Sequence, residues 1–160
     1  MTTKLNLGCG ANHLDGYINI DIRLPKMKEP DYVCDIVKLP YKENMIDEIV
    51  AYHSFEHLSK PDAFKAVSSW LKMLRPEGKL VIECPDILML CKKVAEGEIQ
   101  YIDNIYGLGR QPYDFHKYGW TGSTLSSLLL SVGYVNVTNE MPTDYHSTQE
   151  PCFRVVAYKK

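Results

Sequence analysis

Apolar and polar positions along the chain alternate between two periods. Lys4 to Leu7, Tyr17 to Ile20, Tyr32 to Cys34 and Ile46 to Tyr52 are short β-compatible runs, each bounded by Gly, Pro, Asp or Asn. From Pro61 to Leu74 the period lengthens to that of a helix. Phe64, Val67, Trp70, Leu71 and Leu74 then share one face, with Pro61 near the start and Pro76-Glu77-Gly78 ending it. Lys79 to Cys84 reads as a strand stopped by Pro85, and Ile87 to Ala95 as a helix.

Between about Gly97 and Trp120 no clean period survives. The stretch is rich in aromatic residues, among them Tyr101, Tyr106, Tyr113, Phe115, Tyr118 and Trp120, and it reads as a long, partly ordered connection. Thr121 or Ser123 can cap a helix that carries Leu125, Leu128, Leu129 and Val132 and stops at Gly133. Val135 to Asn139 and Phe153 to Tyr158 are the last strands, which can form an antiparallel pair. Strands alternating with helices predict an α/β fold: a three-layer, Rossmann-like sandwich around a mostly parallel seven-stranded sheet with an antiparallel C-terminal strand.

At 160 residues and 45% apolar content the chain suits one domain spanning 1–160. A signal-peptide pattern and a run of about 18 apolar residues are both absent, so a cytoplasmic protein without a membrane span is expected. Five scattered cysteines never spaced as C-x-x-C read as reduced residues rather than a disulfide framework or a zinc knuckle. A formal charge of −2 does not suit a surface that tracks nucleic-acid phosphates, so a small-molecule substrate is expected. Oligomeric state is not legible.

The candidate chemistry starts where the first strand ends, at Leu5-Asn6-Leu7-Gly8-Cys9-Gly10. Ligands of parallel sheets sit beyond the carboxyl ends of the strands, where glycines let a cofactor approach the backbone. Gly-x-Gly alone is equally compatible with a tight turn. Asp21 after the second strand and Asp35 after the third add two carboxylates beside the loop. An acid at the second strand's end is the group that accepts hydrogen bonds from ribose hydroxyls, although such residues also cap turns.

At this point the sequence resembles the class I S-adenosylmethionine-dependent methyltransferases, in particular the small members known as methyltransferase type 11. LNLGCG matches their first motif, and YINIDI, VCDIVKLPY, IDEIVAYHSFEHL and LRPEGKLVIECPD match successive strand ends in order. LLLSVGYVNV and FRVVAYKK match the closing helix and last two strands. The resemblance implies S-adenosyl-L-methionine as cofactor and leaves 97–120 as the variable, acceptor-side connection. It implies that Asn6, Leu7, Gly8, Cys9 and Gly10 hold the methionine part and that Asp21, with Ile22 beside it, binds the ribose. It implies further that Asp35 and Ile36 flank adenine, while Tyr52 and His53 face the sulfonium.

Two departures from the family pattern matter. Only ten residues separate Gly10 from Asp21, where the family has a full helix, so the first crossover helix is expected to be shortened or missing. Asn6 stands where the family commonly has an acid, and it lacks the charge assistance worth about a further kcal/mol. Without that helix the dipole that a pyrophosphate needs is lost, which disfavours a nicotinamide-dependent oxidoreductase.

His53-Ser54-Phe55-Glu56-His57 also fits the inverted zinc-peptidase pattern H-x-x-E-H, which requires one continuous helix. His53 follows directly on a strand, so that reading is set aside and no metal is expected. Glu56 and His57 then either cap the following helix or serve catalysis. Candidates for a general base are His53, Glu56 and His116, the last within the aromatic connection. The aromatic rings either pack over the sheet or line an acceptor pocket, and Gly107-Leu108-Gly109 reads as flexibility. The function expected is methyl transfer to an oxygen or nitrogen of a small molecule, a sugar or glycan precursor among them. The alternative is a non-catalytic S-adenosylmethionine- or nucleoside-binding protein.

Overall fold

The computed structural model describes residues 2–22 and 29–160. Its centre is a seven-stranded sheet in the order β3-β2-β1-β4-β5-β7-β6, built from β1 (Lys4–Leu7), β2 (Ile18–Asp21), β3 (Tyr32–Val33), β4 (Ile46–Tyr52), β5 (Leu74–Pro85), β6 (Val135–Glu140) and β7 (Cys152–Tyr158). The first five strands pair in parallel, and β7 runs antiparallel to both β5 and β6. This is the Rossmann-like sheet that the alternation of strands and helices predicts.

Inward-facing residues at every second position, such as Leu5, Leu7, Ile49, Ala51, Leu80, Ile82 and Val155, form the main core with α1 (Lys60–Met73) and α4 (Gly122–Val132). Both helices begin on capped ends. Ser59 accepts the Asp62 amide ahead of α1, and Thr121 forms a capping box with Thr124 ahead of α4. Gly133 in a left-handed conformation ends α4. Two buried aromatic residues have their polar tips satisfied: Trp70 donates its indole N–H to the Ile36 carbonyl at 2.9 Å, and Tyr134 donates to the Val67 carbonyl at 3.0 Å.

The helical face of α1 differs from the periodic expectation by about one residue. Ala63, Ala66, Val67, Trp70 and Met73 are buried, whereas Phe64 is 51% exposed. Leu74 is buried but opens β5 instead of closing the helix. The β4–β5 register jumps from Ile46–Leu74 to Glu48–Lys79, so Arg75 to Gly78 bulges out of a strand that starts earlier than its apolar run.

Between β1 and β2 no helix forms, as the short spacing requires. On that side of the sheet Val50, Val81 and Val156 are covered by Leu14 and Tyr17 of the connecting loop, with Tyr52 and Tyr158. The layer is therefore made of loop where the family pattern has a helix. After β5, α2 (Ile87–Ala95) is capped by Asp86, and a 3-10 turn at Ile99–Tyr101 leads into α3 (Ile102–Tyr106) at the start of the aromatic connection. Replacing Trp70 with Ala should cost about 3–5 kcal/mol in urea unfolding, while Phe64→Ala should change stability by no more than about 0.5 kcal/mol.

Candidate active site

The carboxyl ends of β1, β2 and β4 open into a cavity of about 1170 Å³ at the point where the strand order reverses from β1 to β4. The loop after β1 forms one wall. Gly8 and Cys9 donate their amides to the Ile20 carbonyl at 2.8 and 3.1 Å, which fastens the loop to β2. Ser54 crosses behind it and donates to the Leu7 carbonyl at 2.9 Å. Gly8 has φ +66°, and a Cβ there would stand 2.3 Å from the Ser54 Cβ, so only glycine fits.

Two residues expected around the cofactor lie outside the cavity. Asn6 is buried beneath the loop, donating to the Asn12 carbonyl at 2.8 Å and to Asn19 Oδ1 at 2.9 Å. The Leu7 side chain points into the main core. Alternate residues of a strand face opposite sides of the sheet, so the two side chains lie on opposite faces, and Asn6 holds the loop through its hydrogen bonds. The other expected residues, Gly8, Cys9, Gly10, Asp21, Ile22, Asp35, Ile36, Tyr52 and His53, all line the cavity. Asp21 also accepts the Gly10 amide at 2.8 Å, and Asp35 accepts the Val37 amide at 2.9 Å, so both carboxylates hold backbone turns while lining the cavity.

Four of the chain's five histidines, His53, His57, His116 and His146, line the same cavity. His53 ends β4 with φ +48°, uncommon for a non-glycine residue, and its amide donates to the Glu83 carbonyl at 2.9 Å. Glu56 and His57 lie in a short 3-10 turn. The continuous helix that H-x-x-E-H would need is therefore absent. Burial and the neighbouring His146 lower His53 to about 3, and burial with His57 nearby lowers His116 to about 4. Both rings are thus neutral near pH 7. Burial pushes Glu56 up to about 7.

His146 is the residue that the sequence pattern did not single out. It comes from the β6–β7 loop and stacks on His53 with ring centroids 4.0 Å apart. Its Nδ1 hydrogen-bonds Asp144, which accepts from Asn12 Nδ2 at 2.7 Å and whose amide donates to Glu83 Oε2 at 3.0 Å. The sequence signal was Asp144-Tyr145-His146 between the last two strands, but nothing local says that this loop returns to the first one.

The aromatic connection divides between the two roles proposed for it. Trp120 is buried against Phe55 and Tyr118, while Leu108, Tyr113 and His116 line the cavity. At Gly107, φ is +78° and a Cβ would stand 2.1 Å from the Asp114 carbonyl oxygen, so the close approach of the chain requires glycine there.

Residues 5–82 match a family model described as Methyltransferase domain. Over these residues the chain is similar to methyltransferases of the type 11 family. Solved structures agree on the fold. An S-adenosylmethionine-dependent methyltransferase from Archaeoglobus fulgidus superposes with a TM-score of 0.72 at 17% identity, over 99% of this chain and 86% of that one. One from Methanosarcina mazei gives 0.67 at 16% over 98% and 92%, and a possible histamine N-methyltransferase from Thermotoga maritima gives 0.69 at 12% over 100% and 83%. No curated protein matches the sequence.

S-adenosylmethionine is the cofactor of such methyltransferases, and the cavity fits it. Beside Gly10 nothing lies within 4 Å of where a Cβ would be, leaving backbone accessible at the loop, and two strand-end carboxylates line the same wall. Gly8→Ala should strain the loop by about 1–3 kcal/mol and raise the Kd for S-adenosylmethionine roughly tenfold or more, measured by calorimetry.

Proposed function

We propose that the protein transfers a methyl group to an oxygen or nitrogen of a small molecule, with a sugar hydroxyl as the acceptor best suited to its mixed aromatic and polar lining. The observation that carries this reading is the continuity of one cavity from the glycine loop to the histidine cluster and the 103–117 segment. The bound cofactor supplies an activated methyl group, so the protein contributes chiefly alignment and, for a hydroxyl acceptor, a proton acceptor.

In this reading Gly8, Cys9 and Gly10 hold the methionine part, with Asn6 and Leu7 supporting them from below. Asp21 and Ile22 take the ribose, Asp35 and Ile36 the adenine, and Tyr52 and His53 the sulfonium end. Residues 97–120 supply the acceptor side of a single 1–160 domain. Five scattered cysteines without C-x-x-C spacing favour a reducing, cytoplasmic setting, and among the described residues no helix is long and apolar enough to cross a membrane.

Of the base candidates legible in the sequence, His53 and His116 are weakened as proton acceptors by burial, and Glu56 is enclosed. His146 is better suited. Its side chain is 28% exposed, and Asp144 fixes Nδ1, leaving Nε2 as the atom that can take a proton.

Saturating S-adenosylmethionine at about one hundred times its Kd should stabilise the protein by roughly 2.7 kcal/mol in thermal unfolding, and NAD should not. A shift with NAD alone would overturn the reading. Asp21→Ala should weaken S-adenosylmethionine binding by about 1 kcal/mol or more. With a competent acceptor in hand, His146→Ala should lower kcat by about 10²–10⁴-fold while leaving the cofactor Kd near its original value.

A further inference from the structure

We propose that Glu56, His57 and His116 form a binding site for one divalent transition-metal ion on the acceptor side of the cavity. Two imidazoles and one carboxylate are a donor set that holds such ions with coordination positions left open. One ligand atom from each residue can be chosen so that all three lie within 4.8 Å of one another. The set differs from the peptidase pattern, since His116 comes from a different segment and His53 is not a member.

The geometry is held from outside, as metal ligands require. His57 Nδ1 is 3.1 Å from the Phe115 carbonyl, which fixes the N–H there and presents Nε2. His116 Nε2 lies 3.9 Å from Glu56 Oε1. The two segments are also pinned to each other: Lys117 and Tyr118 donate to the Glu56 carbonyl at 2.9 and 3.3 Å, and His116 donates its amide to Tyr106 at 2.9 Å.

Two further observations distinguish this set from the neighbouring cluster. Glu56 is only 3% exposed and its Oε2 has no hydrogen-bond partner among the described residues; Oε1 is the oxygen that faces His116, and a cation bound there would give this buried carboxylate a counter-charge. The His57 and His116 rings meet at 73°, so their lone-pair planes cross and one ion can lie in both. His53 and His146 instead stack at 4.0 Å and 26°, and near-parallel planes at that separation do not share an ion.

Such an ion would offer an open position to an acceptor oxygen and make its proton more acidic, a use that rests on the methyl-transfer reading. The site itself does not rest on it. The test is titration of chelator-stripped protein with Co²⁺, followed by calorimetry and the visible d–d absorption, alongside S-adenosylmethionine binding as a check on the fold. One equivalent of Co²⁺ should bind, and His57→Ala and His116→Ala should each weaken it by at least about a hundredfold while still binding S-adenosylmethionine. Absence of stoichiometric Co²⁺ binding by the parent protein would overturn the proposal. So would variants that bind Co²⁺ as the parent does, or loss of binding through His146→Ala instead. Failure to bind S-adenosylmethionine with Co²⁺ binding intact would count against the methyl-transfer reading and leave the metal site standing.

Discussion

Glu83 is a carboxylate with 0% exposure in the middle of a sheet, and its burial requires a set of partners that organises the site. Arg154 stands directly opposite on β7 and donates Nη1 to Glu83 Oε1. Thr143 and Asp144 donate their amides to the same carboxylate at 3.0–3.2 Å, which draws the β6–β7 loop across the end of β5. On its backbone, Glu83 accepts the amide of His53. One residue thus fixes both the strand end carrying His53 and the loop carrying His146. Breaking such a buried pair by removing one partner typically costs about 3–5 kcal/mol, because the remaining charge is left uncompensated.

The same loop compensates for the abbreviated first crossover. A helix after the glycine loop would normally brace it from one side of the sheet. Here Asn6 and Asn19 hold the loop from below, and Asp144 reaches Asn12 from a segment 132 residues away in sequence. The cofactor loop and the histidine cluster are therefore coupled through side-chain hydrogen bonds, and the buried polar atoms of this small chain are concentrated at the carboxyl ends of its strands.

Strand positions were legible because apolar runs bounded by turn formers report burial on a sheet, and the order of strand-end motifs carried the fold. Expectation and structure part where a side chain's direction is decided by neighbours distant in sequence. Phe64 is apolar at helical spacing but turns outward, since Ala63, Ala66 and Val67 fill the narrow interface against the sheet. Asn6 and Leu7 belong to the first motif, yet the pleat sends their side chains to opposite faces of the sheet and neither lines the cavity. The need for glycine at position 107 is likewise set at a distance, by the Asp114 carbonyl that occupies its side-chain space.

By itself the sequence determined the class of fold, the glycine loop, the acids at the strand ends and the absence of room for a first crossover helix. Each of these depends on short-range pattern or on the number of residues between two fixed points. Only the tertiary structure decided that His57, His116 and His146 share a cavity with Glu56. Their segments are distant along the chain and carry no common spacing, and what joins them is the closing of long loops over one end of the sheet.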